Sequence, residues 1–187
     1  MVRSFDGRAV DQEELATLCA EALRAPSAGH SAGVRLNIIG PERLGEFFTV
    51  ATDATWREHS TRFAGLARAG AGVLVSTRPQ DYAARYREAD KESAGLGETG
   101  AWPLPYWHAD AAMATMALLL LIEEAGLGAV IWGAFRHVGA VLDWAGLSDE
   151  ELFGTVLVGH PDGADRPTSS NARRVPPRAE RVRRLTR

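Results

Sequence analysis

Ala25-Pro26-Ser27-Ala28-Gly29-His30-Ser31 joins an amphipathic segment, Asp11 to Arg24, to a strand-like run, Val34 to Ile39. That order decides how the chain is read. A proline stops a helix, small residues make a tight connection, and an apolar strand follows. Such a corner exposes backbone amides beside a buried sheet, a place for a flat ligand with polar edges.

Upstream of the loop, Asp11 has the character of an N-cap, and Glu14, three residues on, completes a capping-box pattern. Leu15, Leu18, Cys19, Ala22 and Leu23 recur on one helical face. Downstream, Val34, Leu36 and Ile38 alternate with Arg35 and Asn37, the period of a half-buried strand. Pro41 opens a second helix with Leu44, Phe47 and Phe48 inward. Gly72 to Ser76 predicts a short apolar strand, and Pro79 to Tyr86 a helix. Asp90 to Pro105 carries glycines, prolines and mixed charge and reads as a long loop, a length often tied to function. The strongest helix is predicted over Asp110 to Ala125. It is apolar nearly all round from Ala111 to Ile122, which makes it central and calls for a second covering surface, such as another subunit. Gly126 caps it. Ala129 to Ile131 reads as a strand, Val138 to Ala145 as a helix, and Phe153 to Val158 as a last strand. The mixture implies an α+β or α/β layered fold. It forms one domain over residues 1–187, with a basic C-terminal arm over 160–187.

The composition sets limits. The chain has 187 residues, 45% hydrophobic and 24% charged, with a net charge of −3. These values suit one soluble domain and offer no general attraction for nucleic acid. Eight arginines lie from Arg166 onward against the single acid Glu180. That arm is either solvated or a source of guanidinium groups for a phosphate. The longest apolar run, Met116 to Ile122, falls far short of the ~20 residues that span a bilayer. With one cysteine, Cys19, on an apolar helix face, neither a disulfide framework nor a cysteine metal site is available. A cytoplasmic chain without membrane or nucleic-acid partners is the expectation.

Several motifs are set aside on context. Gly95-Leu96-Gly97-Glu98-Thr99-Gly100 matches G-x-G-x-x-G, but no strand precedes it and Pro103 and Pro105 follow, so it is no dinucleotide fingerprint. His30, His59, His108, His137 and His160 show no ligand spacing, which argues against a metal site. Ser27 lacks a nucleophile elbow, and no catalytic acid or base is assigned. Trp102, Tyr106 and Trp107 form either core packing or an aromatic wall over a planar substrate.

Four stretches, taken in order, resemble the FMN-dependent nitroreductase family. Val2-Arg3-Ser4-Phe5 with Val10 resembles its opening arginine motif. Leu23 to Ser31 resembles its A-P-S-x-x-N-x-Q-P-W loop, although His30, Ala32 and Val34 stand where Asn, Gln and Trp are usual. Ala125 to Gly133 resembles its G-L-G strand, with Trp132 where Glu or Phe is common. Val156 to Pro161 followed by Arg173-Arg174 resembles its closing strand and basic tail. Tyr86 to Lys91 and Trp102 to Trp107 resemble an actinobacterial-type branch.

The resemblance implies an α+β homodimer, its sheet flanked by helices, with a central buried helix and two FMN sites at the subunit interface. It implies that Arg3 with Arg173 or Arg174 holds the flavin phosphate. Pro26, Ser27 and His30 would lie along the isoalloxazine and ribityl chain, and Trp132 and Gly133 would meet the ring, with the Gly133 amide at its N5 edge. It further implies ping-pong turnover, in which NAD(P)H gives a hydride and a nitroaromatic, quinone or similar small molecule receives it. Trp102, Tyr106 and Trp107 would line the substrate side. A flavin-sequestering protein and a dedicated biosynthetic oxidase or reductase are the alternatives.

Overall fold

Four strands make one antiparallel sheet: β1 (Val34–Ile39), β2 (Ala71–Thr77), β3 (Gly128–Trp132) and β4 (Glu151–Gly159), in the order β1-β2-β4-β3. The structure, a computed structural model, describes residues 1–165, 173–182 and 184. Seven α-helices accompany the sheet among these residues: α1 (Gln12–Ala22), α2 (Leu44–Ala51), α3 (Ala54–His59), α4 (Phe63–Leu66), α5 (Pro79–Arg85), α6 (Tyr106–Glu124) and α7 (Val138–Ala145).

The sheet separates two apolar clusters because its side chains alternate. Val73, Val75, Val156 and Val158 point to one face, where Leu15, Cys19 and Ala22 of α1 meet Ala111, Leu118 and Ile122 of α6. Leu74, Leu157 and Val130 point to the other, against Phe47 and Phe48 of α2 and Val141 of α7. Central β2 is buried along its whole length, and each fully buried aliphatic side chain contributes about 1.5–3 kcal/mol. A bulge between Val75 and Ser76 shifts the β2–β4 register.

The N-terminal segment lies along the β3–β4 end of the sheet. Val2 N–H donates to Ala129 at 2.8 Å, Asp6 N–H donates to His160 at 3.0 Å, and Phe5 bridges Pro161. Gly70 makes the close passage feasible, since a Cβ there would strike the Arg8 carbonyl.

Several expectations change. Asp11 does cap α1, but its carboxylate takes both the Glu13 and Glu14 N–H groups. No bond from the Glu14 side chain completes the box among the described residues. Leu23 is the C-cap and is exposed, past the buried face of α1. Helix α6 starts four residues before the expected Asp110, because Pro105 fits the N-cap position where it ends no helix. It is not covered all round: Met113, Met116 and Leu120 are 41%, 53% and 57% exposed, the side on which a covering surface was expected. Of the arm, residues 166–172, 183 and 185–187 lie outside the described residues. Arg178–Arg181 forms a 3₁₀ turn, and Arg173 to Val182 are exposed.

Candidate functional site

The loop after α1 is wound tightly. Gly29, His30 and Ala32 have φ of 62°, 58° and 51°, a left-handed conformation that costs non-glycine residues energy. Ser27 Oγ accepts the Ala32 N–H at 3.1 Å, and the Ser31 hydroxyl donates to the Ala28 carbonyl at 2.6 Å. Beneath, Asp110 Oδ2 accepts the Ala28 N–H and the Tyr82 hydroxyl, both at 2.8 Å. Burial, and then the Asp110 carboxylate, push the Tyr82 phenol above its ordinary pKa. A cavity of about 200 Å³ opens between loop and helix, lined by Pro26, Ser27, Val34, Asp110 and Ala114. His30 is exposed.

Trp132 and Gly133 lie elsewhere, at the end of β3. They line a cavity of about 360 Å³ with Asp53, Trp56, Phe135 and His137. Trp132 packs into an aromatic cluster, 5.7 Å from Phe47 and 6.2 Å from Trp56 between ring centroids. The Phe135 ring rests on Gly133 although Phe135 is 93% exposed. His137 Nε2 stands 3.3 Å from Asp53 Oδ1. The pair lies within ion-pair range but outside hydrogen-bond geometry, so this buried nitrogen has no hydrogen bond among the described residues. A neighbouring depression, lined by His59, Ser60, Thr61 and Arg62, shares Trp56 with this cavity.

Arg3 and Ser4 are tied to acids. The Arg3 backbone N–H donates to Asp165 at 3.3 Å and the Ser4 hydroxyl donates to Asp162 at 2.7 Å. The Ser4 hydroxyl and the Ala164 N–H hold Asp162 below the usual carboxylate range. Arg68 lies 3.9 Å from the same carboxylate. Arg173 and Arg174 are exposed, and no contact among the described residues brings them to Arg3. Trp102, Tyr106 and Trp107 cluster with Tyr82 and Tyr86 at centroid distances of 4.7–6.1 Å. The Trp102 N–H donates to Leu96 O and the Trp107 N–H to Glu151.

The sequence model of the Nitroreductase family matches residues 1–160. The chain belongs to the nitroreductase family. Comparison with curated protein sequences finds no match. Solved structures repeat the fold. A nitroreductase family protein from Streptococcus pneumoniae TIGR4 is 20% identical with a TM-score of 0.71, over 98% of this chain and 94% of that one. A nitroreductase-like family protein from Bacillus cereus is 19% identical with a TM-score of 0.66, over 98% and 90%. An oxidoreductase containing FMN is 18% identical with a TM-score of 0.65, over 86% and 72%. At such identities the likeness concerns the fold.

The residues of this nitroreductase-family chain fit a flavin ring at the β3 cavity. Three aromatic side chains offer apolar walls, Gly133 carries no side chain of its own, and His137 Nε2, 3.3 Å from Asp53, is buried without a hydrogen bond. Sequence motifs do not mark Trp56 and Asp53 of this cavity; His137 stands only among five histidines without ligand spacing, and Ser4 only within the arginine motif. Ser4 was open to reading, as a hydroxyl next to an arginine. The His137–Asp53 pair, 84 positions apart, leaves no local signal.

Proposed function

We propose that the chain is an FMN-dependent oxidoreductase that carries a hydride from NAD(P)H to a small organic acceptor, such as a nitroaromatic or a quinone, in ping-pong fashion. The observation that carries this reading is the β3 cavity, whose aromatic walls and whose His137 Nε2, near Asp53 but without a hydrogen bond, suit a planar ligand with polar edges. When bound, FMN supplies two-electron hydride chemistry. The protein's part is positional. Trp56 and Trp132 border the ring, the Gly133 amide faces its edge, and His137 donates to a ring oxygen or accepts from a ring N–H. Arg3, Ser4 and an arginine from Arg173-Arg174 face the phosphate, with Ser4 exchanging its bond to Asp162 for one to the anion.

Two copies of the chain complete the site. Pro26 and Ser27 line a cavity that shares no lining residue with the one at Gly133, and His30 stands exposed on the same loop, so a second copy would bring its loop to the first copy's β3. The uncovered Met113, Met116 and Leu120 of α6 offer the apolar contact between copies. No helix among the described residues is long and apolar enough to cross a membrane. The proposed partners are a second copy and small molecules, in the cytoplasm.

A second reading, a flavin-holding protein with little turnover, is favoured by the Phe135 ring resting on Gly133. One experiment separates them. The visible spectrum of protein loaded with FMN is followed without oxygen as NADH or NADPH is added, and then a quinone. Fast bleaching and fast return support the oxidoreductase. A persistent oxidised spectrum supports the holder, and failure to take up FMN sinks both.

A further inference from the structure

Resting on the reading of the Ala25–Ser31 loop as a flavin wall, we propose that Asp110 and Tyr82 are positioning residues that clamp this loop in its left-handed conformation. Asp110 is only 2% exposed, and no cation pairs with it among the described residues. A buried carboxylate without a cation is costly to keep. Its hydrogen bonds explain its place. Oδ2 accepts the Ala28 N–H, which belongs to the loop, and the Tyr82 hydroxyl, which aims the carboxylate.

Tyr82 is itself immobilised. Its ring is fully buried and meets Trp102 at 5.9 Å and 86°, and Trp107 at 6.0 Å and 60°. The Tyr82 ring also underlies Gly33 and the Tyr86 ring underlies Gly29, where a Cβ would stand 2.5 Å from Tyr86 Cε2. Arg85, on the same helix as Tyr82, donates to the Gly29 carbonyl at 2.9 Å. Helices α5 and α6 therefore hold the loop from below at Ala28, Gly29 and Gly33. That support lets His30 and Ala32 keep a conformation the chain would not choose locally. On this view Trp102 and Trp107 act on the site through Tyr82, by fixing the direction of its hydroxyl.

The test uses the full chain and two readouts, hydrogen exchange of the Ala28 to Ala32 amides without flavin, and FMN affinity from quenching of flavin fluorescence. Asp110→Ala leaves the part-buried Ala28 N–H without its acceptor. It should speed Ala28 exchange and weaken FMN binding, each by about tenfold or more. Asp110→Asn keeps an acceptor and should restore most of both. Tyr82→Phe, which keeps the ring, should give the same changes to a smaller extent. Unchanged loop exchange in Asp110→Ala and Tyr82→Phe overturns the clamp, whatever happens to the flavin. Faster exchange with unchanged FMN affinity overturns its role in the site. If the wild-type chain binds no FMN, the functional reading fails and the role at the flavin fails with it, while the exchange data alone still decide the clamp.

Discussion

Phe135 lays its ring on Gly133, so that a Cβ on the glycine would stand 2.5 Å from Phe135 Cζ. The ring is almost wholly exposed and free to swing aside. Gly133→Ala should therefore leave the melting temperature nearly unchanged, within about 0.5 kcal/mol. It should weaken FMN binding by about tenfold, because the added methyl occupies the approach to the Gly133 amide. Calorimetry and a fluorescence titration check the two halves. Equal FMN affinity would remove the Gly133 amide from the site.

His137 offers a similar combination for a different reason. Its Nε2 is buried without a hydrogen bond, so replacing the ring loses little stability there. His137→Leu should keep or raise the melting temperature while lowering FMN affinity. A drop of several degrees with unchanged affinity would make His137 a structural residue paired with Asp53.

Cys19 gives a pH dependence with a definite sign. Burial pushes its thiol up to about 11 from an ordinary 9.0. The folded pKa is therefore raised, and the associated stability, about 2–3 kcal/mol, is present below pH 9 and lost as pH rises through 11. Tyr82, raised in the same direction, adds to the alkaline loss. Urea melts at several alkaline pH values should show a shallower decline for Cys19→Ala. At neutral pH the wild-type thiol should resist thiol reagents until the protein unfolds. Rapid labelling of the native chain would contradict its burial.

The outer side of α6 predicts association. Met116→Glu and Leu120→Glu each place a charge on a face that is apolar and about half exposed in one chain. In a two-fold interface each substitution counts twice. Sedimentation velocity should show the dimer replaced by monomer, with folding intact by circular dichroism. A dimer unaffected by both changes would put the contact elsewhere.

Gly70 tests how the N-terminal segment is held. A Cβ there meets the Arg8 carbonyl and the Val10 side chain. The carbonyl is backbone and cannot turn aside, so Gly70→Ala should cost about 1–3 kcal/mol in a denaturant melt. A neutral result would mean that residues 2 to 10 are looser than their bonds to Ala129 and His160 suggest.

The sequence was most legible where the local pattern and the sheet agree. Val34–Ile39 and Val138–Ala145 are observed at the expected bounds, because alternation or an apolar face sits between clear stop signals. Helix α6 was misplaced at its start because Pro103 and Pro105 read as loop, although a proline also begins helices. The short helices escaped, α3 because Ala54–His59 carries one large apolar residue, Trp56, and so shows no periodic face, and α4 because four residues are too few to show a period. They escaped at a cost, since Trp56 and the adjoining Asp53 line the β3 cavity. For the proposed site, Pro26, Ser27, Trp132 and Gly133 stand within motifs that the sequence displays. Their separation into two cavities was not legible, because it depends on where α6 and β3 lie in the folded chain. Asp110 could be seen only as a helix start. Its bonds to Ala28 and Tyr82 join residues 82 and 28 positions away.

On the proposed reading, two copies build a flavin site from the Pro26–Ser27 loop of one and the Trp132–Gly133 turn of the other. Sedimentation of the purified chain with FMN, followed by both protein and flavin absorbance, tests it directly. Flavin should travel with a two-chain species at one FMN per chain, and Met116→Glu should release flavin as it releases the partner. Flavin carried by a single chain, or no flavin carried at all, would contradict it.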